Sequence, residues 1–278
     1  MMNPAAFARL APALVLAAML TACGGSDDVS QEAIPPVDDV YRQAEALSAE
    51  GEPTEAARQF EEVERLYPYA QLAKPAMLRA AQSYYQARNY DQARLAAERY
   101  LSFYPNDPQA AQAQYITAMS YYDQIADSQR DQGNTREAMT ALRETIQRYP
   151  DTEFAREARL KLDLTLDHLA GKEMAIGRFY LKNQHYISAI NRFRTVVEQY
   201  QTTSHTPEAL HRLVEAYMSL GITDEAQTAA AVLGHNFPGS SWYAHSYDLL
   251  TGSDLAPKEN NDSWISRAYR QVIKGEWL

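Results

Sequence analysis

The stretch Val40–Pro68, VYRQAEALSAEGEPTEAARQFEEVERLYP, decides the fold. Val40, Ala44 and Leu47 recur at helical spacing, Gly51 interrupts them, and Ala56 and Phe60 open a second helical face. Tyr67-Pro68 ends that second helix, since proline has no amide hydrogen to donate and its ring clashes with the preceding turn. The same punctuation returns downstream at Tyr104-Pro105, Tyr149-Pro150, Tyr200-Gln201 and Phe237-Pro238. Twelve residues before the second member of each pair stands an alanine: Ala56, Ala93, Ala138, Ala189 and Ala226. Successive alanines are 37, 45, 51 and 37 residues apart, the period of a helical hairpin with insertions. In the last unit Leu210, Leu213, Tyr217, Gly221, Ala226, Leu233 and Pro238 repeat the order of large, small and turn residues.

The composition is helical: 11 Gly in 278 residues, abundant Ala, Glu, Gln, Arg and Leu, and 46% hydrophobic residues to build a sizeable core. A formal charge of −10 argues against nucleic acid or an anionic lipid surface as the main partner. The chain has no Gly-rich phosphate loop, nucleophile elbow or His-x-x-x-His pair, so a non-catalytic protein without metal or cofactor is expected. Of the six histidines, only His205 and His211 fall close enough to share a helix start; two histidines without carboxylate support read as polar surface. Glu61-Glu62 and Asp38-Asp39 read as solvated faces or caps.

The spacing predicts helices over 38–49, 53–66, 72–87, 91–103, 107–128, 134–148, 152–182, 185–200, 206–220, 222–235 and 240–250. Asp151-Thr152-Glu153 and Thr206-Pro207-Glu208 are the polar starts expected of helix N-termini. The polar run from Asp127 to Gln132 predicts a longer loop inside the third unit. The extended fourth unit predicts two lobes, 38–150 and 151–251, joined by a long helix. Such a solenoid binds segments of other proteins.

The amino terminus carries a separate message. Arg9 precedes an apolar run from Leu10 to Leu20, too short to span a bilayer, with the layout of a signal peptide over residues 1–22. Leu20-Thr21-Ala22-Cys23 resembles the bacterial lipobox, and Cys23 is the chain's single cysteine. The resemblance implies an S-diacylglycerol and N-acyl group on Cys23; the alternative is an ordinary cleavable signal with an incidental thiol. Each buried methylene contributes about 0.8 kcal/mol, so several acyl chains anchor effectively permanently. Gly24 after the cysteine implies, by resemblance to bacterial lipoproteins, the outer membrane and its periplasmic face. Residues 23–37 are too polar to fold and read as a tether.

The five units resemble tetratricopeptide repeats, which gives the expected class: an all-α solenoid of about five helical hairpins. Gly177-Arg178-Phe179-Tyr180, Tyr186 to Phe193, Glu208-Ala209-Leu210, Arg212 to Tyr217, Leu233 to Pro238 and Ser241-Trp242-Tyr243 sharpen this. They resemble the carboxy-terminal repeats of the BamD family, lipoproteins of the outer-membrane β-barrel assembly complex, with the similarity running from about residue 20 to 250. The resemblance implies no catalysis, a partner in the barrel subunit BamA alongside other subunits of the complex, and recognition of unfolded outer-membrane clients. Other envelope roles, as a secretin pilotin or an adaptor of peptidoglycan enzymes, are the alternative for a repeat lipoprotein.

Two surfaces follow from that resemblance. Asn191-Arg192, with Phe179 and Tyr180 before it, corresponds to the contact with a POTRA domain of BamA; the bland reading of Arg192 is a solvated helix residue. Tyr180 takes the large packing position of its repeat, leaving Phe179 as the exposed member. Tyr67-Pro68-Tyr69 corresponds to the turn beside the client groove, the alternative being that Tyr67 merely seals its hairpin. Ala70 departs from the glycine often found there. Finally, after a polar linker, Trp264, Ile265, Ala268, Tyr269, Val272 and Ile273 form one apolar helix face within 252–278. It docks a partner, caps the last repeat, or enters lipid headgroups.

Overall fold

A computed structural model describes residues 34–125 and 133–273, the last three by backbone alone; Cys23, the signal, most of the tether and the polar run 127–132 lie outside the described residues. All regular structure among the described residues is helical. The helices are α1 (Val37–Glu50), α2 (Pro53–Leu66), α3 (Ala73–Gln86), α4 (Tyr90–Phe103), α5 (Ala110–Tyr122) and α6 (Gly133–Arg148). They continue with α7 (Glu153–Lys182), α8 (Tyr186–Gln199), α9 (Thr206–Ser219), α10 (Thr223–Asn236), α11 (Ser241–Thr251) and α12 (Trp264–Ile273). Each helix packs on its neighbour in sequence from α1 to α10, forming a solenoid of five tetratricopeptide-type hairpins. The chain from Val37 onward is one compact unit. No helix among the described residues is long and apolar enough to cross a membrane.

The repeat is visible in the backbone itself. Between the two helices of a hairpin the chain passes through the left-handed region at Gly51, Arg88, Gln184 and Gly221. One residue later an amide returns to the carbonyl five positions back: Glu52 to Leu47, Asn89 to Tyr84, His185 to Tyr180 and Ile222 to Tyr217, at 2.9–3.0 Å. This is the Schellman closure, which satisfies carbonyls that the helix end would otherwise orphan. Gly51 and Gly221 adopt the conformation at little steric cost, whereas Arg88 and Gln184 adopt it with a side chain. At the other end, Tyr67, Tyr104, Tyr200 and Phe237 share φ between −131° and −135° and positive ψ, and each amide still bonds the carbonyl four residues back.

Packing explains the small residues. Ala56, Ala93, Ala138, Ala189 and Ala226 are all fully buried, so the alanine period marks where helices approach. A Cβ added to Gly177 of α7 would stand 2.5 Å from the Phe193 ring of α8, and one added to Gly234 of α10 would stand 2.4 Å from the Tyr243 ring of α11. The core falls into four clusters. Three serve the first hairpins, around Phe60, Tyr100 and Leu142, and one large cluster runs from Ala170 to Tyr269. α7 takes part in both halves, through Ala158 and then Ala170 and Met174.

Two expectations are revised. α5 ends at Tyr122 rather than 128: the Gln124 and Ile125 amides bond back three residues, to Tyr121 and Tyr122, and the Asp123 carboxylate receives the Tyr85 hydroxyl. Thr152 caps α7 as expected, accepting from Ala155 N at 3.2 Å. Thr206 does not cap α9; its hydroxyl donates to the Tyr200 and Gln201 carbonyls and pins the preceding turn. The carboxy-terminal helix folds back as α12 onto α8 and α10. Ile265 is fully buried there, Trp264 Nε1 donates to the Tyr217 hydroxyl at 3.0 Å, and the Arg194 guanidinium lies 4.7 Å from the Trp264 ring centre. Of the three fates open to this segment, the structure shows it packed on the last repeats.

Candidate functional site

The α7–α8 hairpin brings together most of the residues expected to meet a partner. The amphipathic pattern of α7 puts Met174 and Gly177 inside and leaves Phe179 63% exposed at the helix end. Tyr180, next in sequence, packs half-buried against the core, with its ring 5.9 Å from that of Phe179. On α8, Phe193 faces the core, so Asn191 and Arg192 one turn-face away point outward. Tyr180, Ser188, Asn191, Arg192 and Thr195 line one shallow depression of about 240 Å³. Arg192 is not free in it: Nη1 donates to Glu173 Oε2 at 3.1 Å across the hairpin. Both side chains keep some solvent exposure, so the pair is a weak tether that holds the guanidinium in place.

A second depression of about 490 Å³ opens beside the α7–α8 turn, with Arg178, Lys182, Tyr186, Arg212 and Glu215 on its wall. Arg178 pairs with Glu208 at 2.9 Å, and Arg212 reaches both Glu208 (3.3 Å) and Glu215 (2.7 Å). Burial pushes the Glu215 carboxyl up, but hydrogen bonds from His211 and Arg212 outweigh it and hold it below the usual carboxylate range. The network fixes the orientation of α9 against α7. Sequence reasoning missed Glu173, Glu208 and Ile187, which is 69% exposed in the first turn of α8. The hairpin register, which sets Arg192 against a residue nineteen positions earlier, was the signal for Glu173.

The first-repeat turn divides its three residues. Tyr67 is half-buried and packs with the cluster of Val40, Phe60 and Val63, sealing its hairpin. Pro68 is exposed and Tyr69 is 100% exposed. Ala70 is unstrained, because Arg88, Gln184 and Asp254 are the only non-glycine residues with positive φ among the described residues. Its amide bonds the Tyr67 carbonyl at 3.0 Å and closes the turn without glycine. The turn and the α7–α8 depression are not brought together.

His205 and His211 face different partners. His205 Nε2 lies 3.6 Å from Asp167, while His211 sits buried with Nδ1 2.9 Å from Ser246 Oγ and Nε2 3.6 Å from Glu215. Among the described residues, no group of three or more His, Cys, Asp or Glu side chains is arranged to hold a metal ion.

Comparison with known proteins gives a consistent picture. A family model described as "YfiO: Outer membrane lipoprotein" matches residues 35–233. The chain is 45% identical to an outer membrane protein assembly factor BamD of Caulobacter vibrioides, covering 88% of this chain and 83% of that protein. It is 38% identical to a BamD of Rickettsia prowazekii, covering 87% of this chain and 96% of that one. Among solved structures, a thermophilic tetratricopeptide-repeat protein of Thermus thermophilus aligns at 19% identity over 76% of this chain and 98% of that chain, with a TM-score of 0.36. With hairpin geometry, family match and two long, closely similar relatives in agreement, the chain belongs to the YfiO family of outer membrane lipoproteins, the family of the BamD assembly factors.

Proposed function

We propose that the protein is a non-catalytic scaffold for assembly of outer-membrane β-barrel proteins; its relatives in Caulobacter and Rickettsia are named outer membrane protein assembly factors. In this reading Cys23 carries the lipid anchor at the periplasmic face of the outer membrane. The depression lined by Tyr180, Asn191 and Arg192, with Phe179 at its edge, docks a POTRA domain of the barrel subunit BamA. The clustering of these residues around one depression in a chain of this family carries the reading. Arginine suits it, since a planar guanidinium held by Glu173 on one side still offers donors to a carboxylate on the other. Tyr69, fully exposed beside Pro68, is the aromatic available to an incoming client strand, and Tyr67 holds the turn that presents it.

The test is affinity purification of the native lipoprotein from gently solubilised outer membranes, with mass spectrometry of its companions. A stoichiometric barrel protein bearing POTRA domains is expected; a secretin or peptidoglycan enzymes in its place would overturn the role. Arg192→Glu should weaken binding of purified POTRA domains about tenfold or more, equivalent to about 1.4 kcal/mol. Its melting temperature should stay near wild type because the Glu173 pair is partly solvated. Unchanged affinity in a folded Arg192→Glu protein would remove this surface from the interface.

A further inference from the structure

The four hairpin turns that pass through the left-handed region divide in two. Gly51 and Gly221 have no side chain to accommodate there, whereas Arg88 (φ 57°) and Gln184 (φ 61°) adopt the same conformation against the steric preference of an L residue. Strain that a glycine would relieve points to work done by the side chain. Both residues line depressions. Arg88 stands with Tyr85, Gln86, Tyr90 and Asp123 around about 460 Å³, where the Asp123 carboxylate balances its charge. Gln184 stands in the depression of about 490 Å³ between the α7–α8 turn and α9, and there the charges do not balance.

Arg178, Lys182 and Arg212 share its wall with one carboxylate, Glu215, and Glu208 pairs with the two arginines. Three cations against two carboxylates leave one positive charge over. Every oxygen of the two carboxylates is engaged: Glu208 holds Arg178 and Arg212, and Glu215 holds Arg212 and lies 3.6 Å from His211 Nε2. Donors remain in excess. The Lys182 ammonium, the Gln184 amide and the Tyr186 hydroxyl have no hydrogen bond or ion pair among the described residues, and each guanidinium keeps N–H groups to spare. Apolar side chains border this wall. Phe179 and Ile187, next in sequence to Arg178 and Tyr186, are both exposed, as are Leu220 and Ile222 just past Ser219. A small anion would gain nothing from that border. A polypeptide would cover it while its carboxylates reach the basic wall.

We propose that this depression receives a carboxylate-bearing segment of the protein docked on the α7–α8 hairpin, with Lys182 as its ion-pair partner and Gln184 and Tyr186 as hydrogen-bond donors. The partner then holds the hairpin at two points, Arg192 and Lys182. This second contact rests on the POTRA-docking reading above and adds to it the chemistry the partner must present: acidic side chains beside apolar ones.

The experiment titrates purified POTRA domains into the full chain, wild type and variants, at low and at raised sodium chloride. Lys182→Glu should weaken binding about tenfold or more, with a melting temperature near wild type because Lys182 has no partner within the fold. Raised salt should cost the wild type more affinity than it costs Lys182→Glu. Gln184→Gly separates binding from stability: relief of the left-handed strain should hold or raise the melting temperature, while loss of the amide should weaken binding about threefold or more. If Arg192→Glu weakens binding and neither Lys182→Glu nor Gln184→Gly does, the depression is no contact and the docking reading stands without it. If the POTRA domains do not bind the wild-type chain, the docking reading itself fails and this contact falls with it.

Discussion

The first three hairpins and the last two solve the same packing problem differently. In the first half, alanine-rich contacts leave three modest clusters, and tyrosine hydroxyls bonded to carboxylates tie the helices together. Tyr84 reaches Glu61, Tyr85 reaches Asp123, and Tyr115 reaches Glu157. Asp107 gathers Tyr100, Lys74 and the Gln109 amide at 2.6–2.9 Å. In the second half, Phe193, Met174, Leu210, Leu213, Leu233 and Leu250 join one continuous core, which α11 and α12 close. Oriented hydrogen bonds hold one half and apolar area holds the other. The two should therefore fail under different stresses.

The largest expected effect lies in the apolar half. Phe193→Ala removes the ring that fills the space left by Gly177 and should cost about 3–5 kcal/mol in urea unfolding. A loss below about 1 kcal/mol would mean the second half is not held by this core.

A smaller effect, with a distinct pH signature, belongs to the first half. Bonds from Lys74, the Gln109 amide and Tyr100 hold the Asp107 carboxyl at about 2, below its ordinary 3.8. A lowered folded-state value means that its contribution is fully present above 3.8 and is lost as pH falls toward about 2. Asp107→Asn should thus lower the melting temperature at neutral pH, and the gap from wild type should close in acid. A gap constant with pH would show that shape, not charge, matters at this position.

The smallest effects test the shared turn. Gly51→Ala should cost about 1 kcal/mol, from backbone strain alone, since an added Cβ meets nothing within 4 Å. Arg88→Gly, at the equivalent position, should be neutral or stabilising by roughly 0.5 kcal/mol. Equal responses of the two turns to loss and gain of a side chain would break the equivalence drawn between repeats.

The site was only partly legible in advance. Phe179 could be assigned to the surface and Tyr180 to packing because Tyr180 takes the large packing position of its repeat. The Tyr67 ambiguity had no sequence solution: an aromatic beside proline serves equally to seal a hairpin or to meet a partner, and only its contacts with the Phe60 cluster decide. The Arg192–Glu173 pair was not legible, because the two residues are nineteen positions apart and their meeting depends on the rotation of α7 against α8.

By itself the sequence determined the hairpins, their number and nearly all their boundaries. Those rest on local sterics: a small residue where helices touch, glycine at a left-handed turn, and proline where an amide hydrogen would be needed. Only the tertiary structure decided which hydroxyls find carboxylates, where α12 docks, and that Lys182 and Arg212 share a depression. An apolar stripe announces that a face will be buried. The surface that buries it is a property of the assembled neighbours, whose contacts span tens of residues and leave no local pattern.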